Sequence, residues 1–305
     1  MVQFSARLPN TDYLGFEATP DGIVETAIAA ESLGFDAVMV NDHIIVDGSP
    51  RNLGPWGNTF DPFVTLSFVA ARTSRIRLGT SVLIVPYRNP IATAKAYATL
   101  DRMSGGRVIA GVGTGWNEPE FAALGVPFHE RGARTDEYLR IFQACWGADP
   151  VTFKGKFNAF TDMHVKPKPL QPGGPPIWVG GTSPAALRRA AKFAAVWQPT
   201  PMSLADLKAG QLALTAACDR LGRADVPETR MSFRVLFPAI TGDAISAPRA
   251  IGQGTPEQVA ADLRQLRDDV GVDSFQINFN GCHSLAQILA SMELFMTEVK
   301  PLVEE

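Results

Sequence analysis

The sequence predicts an α/β fold, a (β/α)8 TIM barrel, on three observations. Residues 76–116 contain one complete strand, helix, strand unit; the same alternation runs along the chain to give eight strands and eight helices; and 305 residues suit a barrel folded as one domain over 1–305. Parallel strands need crossovers, helices supply them, and eight such units close on themselves.

In chain order, VQFSARLP reads as the first strand. PDGIVETAIAAESLG follows as a helix with Ile23, Val24, Ala27, Ile28 and Ala30 towards the sheet and Gly34 at its end. FDAVMVNDHI, the second strand, ends in polar residues and enters a long loop at 44–60, ahead of the helix DPFVTLSFVAARTS. IRLGTSVLIV is an almost unbroken apolar run rich in β-branched residues, which suits a strand covered on both faces. The next helix sets Ile91, Ala94, Tyr97, Ala98 and Leu100 on one side, and Ser104, Gly105 and Gly106 stop it before the fourth strand, RVIAGVGTG. HERGARTDEYLRIFQACW carries Tyr138, Leu139, Phe142 and Trp146 as its buried stripe. The alternation breaks at about 147–176, where VTFKGKFNAF reads as a hairpin and VKPKPLQPGGPP as a proline-rich stretch, together an insertion on the barrel. IWVGGTS, AAVWQPT, RMSFRVLFPA and VDSFQINFN complete the strands. The helices SPAALRRAAKF, SLADLKAGQLALTAACDRLG and TPEQVAADLRQLRDDVG separate them, the last with Thr255 as cap and Pro256 at its first position, and SLAQILASMELFMTEVKPLV closes the series.

Hydrophobic residues make up 46% of the chain and charged residues 19%, an ordinary balance for a soluble enzyme with a large core. A net charge of -3 gives nothing to draw nucleic acid or a membrane surface. MVQFSARLPN lacks an apolar signal core, and no segment approaches the roughly 20 apolar residues of a spanning helix. A cytoplasmic protein acting on a small molecule is therefore expected, without nucleic acid or membrane as partner. Cys145, Cys218 and Cys282 are odd in number and widely spaced, so neither a zinc site nor a redox pair is indicated. Cys145 and Cys218 belong to helical patterns and read as buried, while Cys282, beyond a strand end, either packs or lines a pocket. No cluster of metal ligands, strand-end lysine or serine elbow is present in the sequence pattern.

In such barrels the site lies at the carboxyl ends of the strands. The polar and glycine-rich residues there are Asp42, His43, Ser81, Thr114, Gly180, Gly181, Thr182, Ser183 and 278–283. His43 is either a proton donor oriented beside Asp42 or a histidine satisfied by backbone at a loop start. Gly111, Gly113 and Gly115 either let a flat ligand approach closely, with Thr114 offering a hydroxyl, or merely serve a tight turn. Gly180-Gly181-Thr182-Ser183-Pro184 runs from a strand into a helix. It presents N–H groups to an anion, caps the helix through Ser183, or does both. Trp56, Trp116 and Trp197 fall at loops or strand ends and are candidate walls of a substrate pocket built from 44–60, 117–134 and 241–254.

GTSVLIVPYRNP, followed by ATLDRMSGGRVIAGVGTGWNEPEFAALGVPFHERGARTDEYLRIF, with Asp42-His43, Gly180-Gly181-Thr182-Ser183 and Gly254-Thr255-Pro256-Glu257 in register, resembles the luciferase-like flavin and deazaflavin oxidoreductases. The resemblance is nearest to the branch that uses the deazaflavin F420, and it covers essentially the whole chain. It implies F420 at the mouth of the barrel, hydride passing between its C5 and a small organic substrate, and His43 as the proton-transfer residue. It further implies that Asp42 and His43 lie against the deazaflavin, that Ser81-Val82 is a cis peptide supporting the ring, that Gly113, Thr114 and Gly115 belong to the cofactor site, and that Gly180, Gly181, Thr182 and Ser183 hold the phosphate. A homodimer, with a flavin or F420 reductase as electron source, is implied as well. Relatives that oxidise sugar phosphates carry a glutamate acid where this chain has Trp116, which speaks against the same substrate. Glu118 and Glu120 are expected on a solvated helix turn. Two rival functions remain at this stage, an FMN-dependent monooxygenase fed by a separate reductase and a barrel that binds without catalysis.

Overall fold

The computed structural model describes residues 2–12, 16–245 and 247–305. Its strands are β1 (Gln3–Arg7), β2 (Ala37–Val40), β3 (Arg77–Thr80), β4 (Leu83–Ile84), β5 (Val108–Gly113), β6 (Val151–Lys154), β7 (Ala159–Met163), β8 (Ile177–Gly180), β9 (Val196–Gln198), β10 (Glu228–Val235) and β11 (Ser274–Phe279). Nine of them form one sheet in the order β3-β2-β1-β11-β10-β9-β8-β5-β4, and β3 also pairs with β5, which closes the ring. All pairs in that ring are parallel, with Leu78 opposite Val108 at the closure. With β3 and β4 taken as one interrupted strand, this is the eight-stranded barrel the sequence predicts. The crossovers are the helices Pro20–Leu33, Pro62–Ala70, Pro90–Met103, Arg131–Trp146, Pro184–Phe193, Leu204–Arg220, Pro256–Val270 and Leu285–Leu294.

Alternation along each strand divides the interior into two layers. Phe4 and Ala6, Val38 and Val40, Val108 and Val112, and Phe275 and Ile277 face the helices and join the large outer core. Their neighbours Ala37, Met39, Ile109, Trp178 and Val196 pack as a small separate cluster inside the barrel. Strand and helix signals were legible because both layers are apolar. Several helix starts are likewise local: Thr19 accepts from the Gly22 N–H, and Thr255 and Gln258 form a reciprocal capping box.

IRLGTSVLIV does not run as one strand. β3 pairs with β2 and β5, whereas β4 pairs with β5 alone, and the Ser81-Val82 peptide between them is cis. The displaced segment lies against the glycines of β5. A Cβ on Gly111 would stand 1.8 Å from the Thr80 carbonyl oxygen, and one on Gly113 would stand 2.5 Å from Val82 Cγ2. Gly115 has a φ of 80°, which a side chain rarely adopts. The glycine run thus accommodates the neighbouring chain at two positions and a left-handed turn at the third.

Two short helices are present: Pro50–Trp56 interrupts a stretch expected to be a loop, and Glu118–Ala123 extends the helix turn expected at Glu118 and Glu120. Gly54 and Pro55 inside the first obscure its pattern in the sequence. The insertion forms the antiparallel hairpin β6–β7, whose turn docks onto helix Arg131–Trp146 because the buried Glu137 carboxylate accepts from the N–H groups of Lys156, Phe157 and Asn158. Cys145, Cys218 and Cys282 are free and buried. Among the described residues no helix is long and apolar enough to cross a membrane.

Gly111→Ala should destabilise the fold by about 1–3 kcal/mol, since overpacking forces backbone shifts. Gly54→Ala, where a Cβ meets nothing within 4 Å, should be neutral or gain up to about 1 kcal/mol. Urea unfolding of the two variants checks this, and equal midpoints would show that the close approach at Gly111 is not required.

Candidate active site at the barrel mouth

The same alternation decides which residues meet at the carboxyl end of the barrel. The last inward residue of each successive strand is Arg7, Asn41, Ser81, Gly113, Gly180, Gln198, Arg234 and Asn278. All eight line a single cavity of about 390 Å3. Val82, Ile84, Thr114, Gly115 and Trp116 form one side, Trp56 and the segment Pro199, Thr200 and Pro201 lie around the rim, and Ser232 and Gln276 contribute from one layer deeper.

A chain of amides ties this floor together. Gln198 Nε2 donates to Ser81 Oγ at 2.7 Å and to Gln276 Oε1 at 3.0 Å; Gln276 Nε2 donates to Asn278 Oδ1 at 3.4 Å, and Asn278 Nδ2 to Ser232 Oγ at 2.7 Å. Two buried acceptors, Gln198 Oε1 and Asn41 Oδ1, have no hydrogen-bond partner among the described residues. Buried polar atoms are nearly always satisfied, so these two are positions for donor groups of a ligand or ordered water.

His43 stands just behind the wall. Its ring lies 4.9 Å from that of Trp56 and 5.7 Å from that of Trp116. Its Nδ1 is 2.8 Å from Glu120 Oε2. Glu120 is not on a solvated turn: it is 1% exposed, in the first turn of helix Glu118–Ala123, while Glu118 is exposed. The Glu120 carboxylate also accepts from the Tyr87 hydroxyl at 2.8 Å and from the N–H groups of Ile44 and Ile45. Burial pushes the Glu120 carboxyl up, but the bonds from His43, Ile44 and Tyr87 outweigh it and hold the group below its ordinary value. An ionised Glu120 accepts the Nδ1 proton of His43, which fixes the tautomer and leaves Nε2 as the nitrogen able to take up a proton. The hydrogen-bonding chemistry, not the helical period, decides the position of Glu120, and nothing within a few residues of it in sequence signals that partner.

The other candidates divide. Gly113, Thr114, Gly115, Gly180, Gly181, Ser81, Val82, Trp56 and Trp116 line the cavity. Asp42 follows the inward Asn41 and so turns away from it. Arg88 reaches both Asp42, at 2.7 Å, and Asp61, at 2.9 Å, and Asp42 also accepts from the Ile84 N–H, pinning the start of β4. Trp197, one residue before the inward Gln198, is 0% exposed and packs in the outer core, with its Nε1 donating to the Gly181 carbonyl. Thr182 and Ser183 are exposed beyond the rim, and Ser183 Oγ accepts from the Ala186 N–H as the cap of helix Pro184–Phe193. Cys282 packs against Ser291, and the described residues of 117–134 and 241–254 contribute nothing to the lining. Arg7, Asn41, Gln198, Ser232, Arg234 and Gln276 were not singled out from the sequence, although alternation within each strand pattern marks them as inward.

Because the Glu120 carboxyl is held below its ordinary value of 4.5, its contribution to stability is complete above that pH and is lost as pH falls through the lower folded value. Glu120→Gln should therefore be less stable than the parent at pH 7 by about 1–3 kcal/mol, with the gap narrowing below pH 4.5 in denaturant titrations. A gap independent of pH would mean that Glu120 is not a buried carboxylate of this kind.

Known proteins resemble the chain in both sequence and fold. An F420-dependent glucose-6-phosphate dehydrogenase from Amycolatopsis mediterranei is 36% identical over 177 residues, 57% of this chain and 51% of that relative, so the match spans about half of its length. Another protein of that description, from Nakamurella multipartita, is 32% identical over 272 residues, 83% of this chain and 77% of the relative. The solved structure of an F420-dependent secondary alcohol dehydrogenase in complex with an F420-acetone adduct superposes with a TM-score of 0.80 at 19% identity, covering 100% of this chain and 99% of that one, a likeness of fold. The model of the luciferase-like monooxygenase family matches residues 3–247, and with the closed parallel barrel and its site at the carboxyl ends of the strands, the chain belongs to that family of oxidoreductases.

Proposed function

We propose that the protein is an F420-dependent oxidoreductase acting on a small organic substrate at the mouth of the barrel. The observation that carries this reading is the ledge at one side of the cavity. Val82 stands against Gly113, where a Cβ would collide with it, and close to Gly180, and with Ile84 and Gly115 it leaves an apolar surface without intruding side chains. At its edge Gly180 and Gly181 lead into the amino terminus of helix Pro184–Phe193. A tricyclic ring with a phosphate-bearing chain asks for these features, apolar support beneath the ring and N–H donors for the anion. The unmatched acceptors Gln198 Oε1 and Asn41 Oδ1 suit N–H or O–H groups of a ligand in the same cavity. The F420 dependence named for the relatives supports the same choice of cofactor.

When bound, F420 supplies two-electron hydride chemistry at its deazaflavin C5, and the protein's part is to orient, to exclude water and to move one proton. His43, with Nδ1 bonded to Glu120, accepts at Nε2 the proton released when an alcohol is oxidised, and returns it in the reverse direction. Glu120 stabilises the imidazolium so formed and keeps the ring from turning. Trp56 and Trp116 cover His43, which is 8% exposed, and limit the access of water to it.

Titration of the apoprotein with F420 and with FMN, followed by ring fluorescence, should give tight binding of F420 and weaker binding of FMN. A preference for FMN with oxygen consumption would make the protein a flavin monooxygenase, and binding of neither would make it a barrel without redox function. His43→Ala should lower turnover about 10²–10⁴-fold with little change in F420 affinity. Unchanged turnover would remove His43 from the reaction.

A further inference from the structure

We infer that Gln198 and Ser81 form an acceptor–donor pair that reads the lactam edge of a ring, an N–H beside a carbonyl, and that Gln276 and Asn278 fix the polarity of this pair from the layer beneath. The inference rests on the function proposed above for the identity of the ring, since the pyrimidinedione portion of a deazaflavin carries such an edge. The pair itself follows from hydrogen bonds within the protein.

The polarity begins at a group that cannot change roles. The Phe233 carbonyl only accepts, and Asn278 Nδ2 donates to it at 3.4 Å and to Ser232 Oγ at 2.7 Å. That leaves Asn278 Oδ1 on the other side, where it accepts from Gln276 Nε2 at 3.4 Å. Gln276 Oε1 then accepts from Gln198 Nε2 at 3.0 Å, and the same Nε2 donates to Ser81 Oγ at 2.7 Å. A side-chain amide has a donor end and an acceptor end. Once Asn278 is set, each amide above it is therefore set, and bonds polarised in series strengthen one another.

Two groups remain at the top of this chain. Gln198 is 6% exposed and lines the cavity, and its Oε1 has no hydrogen-bond partner among the described residues. Ser81 Oγ already accepts from Gln198, and among the described residues nothing accepts its own hydrogen. A ligand here meets an acceptor and a hydroxyl donor on adjacent side chains. A lactam or imide edge complements both, N–H to Gln198 and C=O to Ser81, whereas a carboxylate leaves Gln198 unmet and an ammonium leaves Ser81 unmet. The pair lies beside the ledge, because Gly180 is opposite Gln198 in the β8–β9 pairing and Val82 follows Ser81. A buried acceptor left unmet costs free energy, so a ring lacking the N–H is penalised beyond the loss of one bond.

The full chain is titrated into F420 or its N3-methyl derivative and followed by ring fluorescence, with FMN and N3-methyl FMN as a second pair of rings bearing the same edge. F420 should bind at least about tenfold more tightly than its methylated form. Gln198→Met, which keeps the length of the side chain, should weaken F420 binding about tenfold and bring the ratio between the two ligands to about one. Gln276→Met frees the Gln198 amide to turn, so the ratio should fall there as well; a merely structural loss would weaken both ligands alike and leave the ratio unchanged. Thermal melting shows that each variant is folded. The inference is overturned if the parent binds methylated and unmethylated rings alike, or if folded Gln198→Met or Gln276→Met keeps the parent's ratio. If only the FMN pair binds and shows the preference, the lactam reading stands and the choice of F420 falls; binding of no ring overturns both.

Discussion

In a closed ring of parallel strands each residue faces either the barrel axis or the surrounding helices, and one step along the chain exchanges the two. The site depends on this parity. Asn41 lines the cavity and Asp42 pairs with Arg88 behind it; Gln198 joins the floor and Trp197 packs in the outer core. A shift of one residue in β9 would bring an indole into the cavity and leave an amide among helices, so the register is held by hydrophobic burial and by the polar chain at once. The pairing of Gly180 with Gln198 and of Arg234 with Asn278 brings the mouth residues of neighbouring strands level with each other.

The interruption between β3 and β4 adapts this regular frame to a ligand. Val82 leaves the strand pairing, fills the space that a side chain on Gly113 would have occupied and stands close to Gly180. Glycine is required at position 113, and the exchange yields a ledge at the place where a barrel would otherwise present a further inward side chain. Asp42 secures the far end of the interruption through the Ile84 N–H, which gives this buried carboxylate a positioning part in the site without contact with the cavity.

Glu120 performs a similar service for His43. A buried carboxylate is tolerated only when its oxygens are bonded, and here the donors come from two separate segments, His43, Ile44 and Ile45 after β2 and Tyr87 after β4. The cost of leaving that charge unmet keeps the loops after β2, β4 and β5 in one arrangement. The imidazole is thereby held between Trp56 and Trp116, next to the cavity.

Local chemistry in the sequence determined the barrel class, the order of strands and helices, the hairpin at 147–176 and the helix starts at Pro20, Pro184 and Pro256, because apolar periodicity and capping act within a few residues. It also marked the glycines of β5 and β8 and the pair Asp42-His43 as belonging to the mouth. Tertiary structure alone decided that Asp42 faces away while Arg7 and Arg234 face in, that the third strand divides at Ser81-Val82, and that Glu120 is buried against His43, its partner 77 positions away. Those outcomes follow from which segments the closure of the ring brings together, and no segment carries that information until its neighbours on both sides are in place.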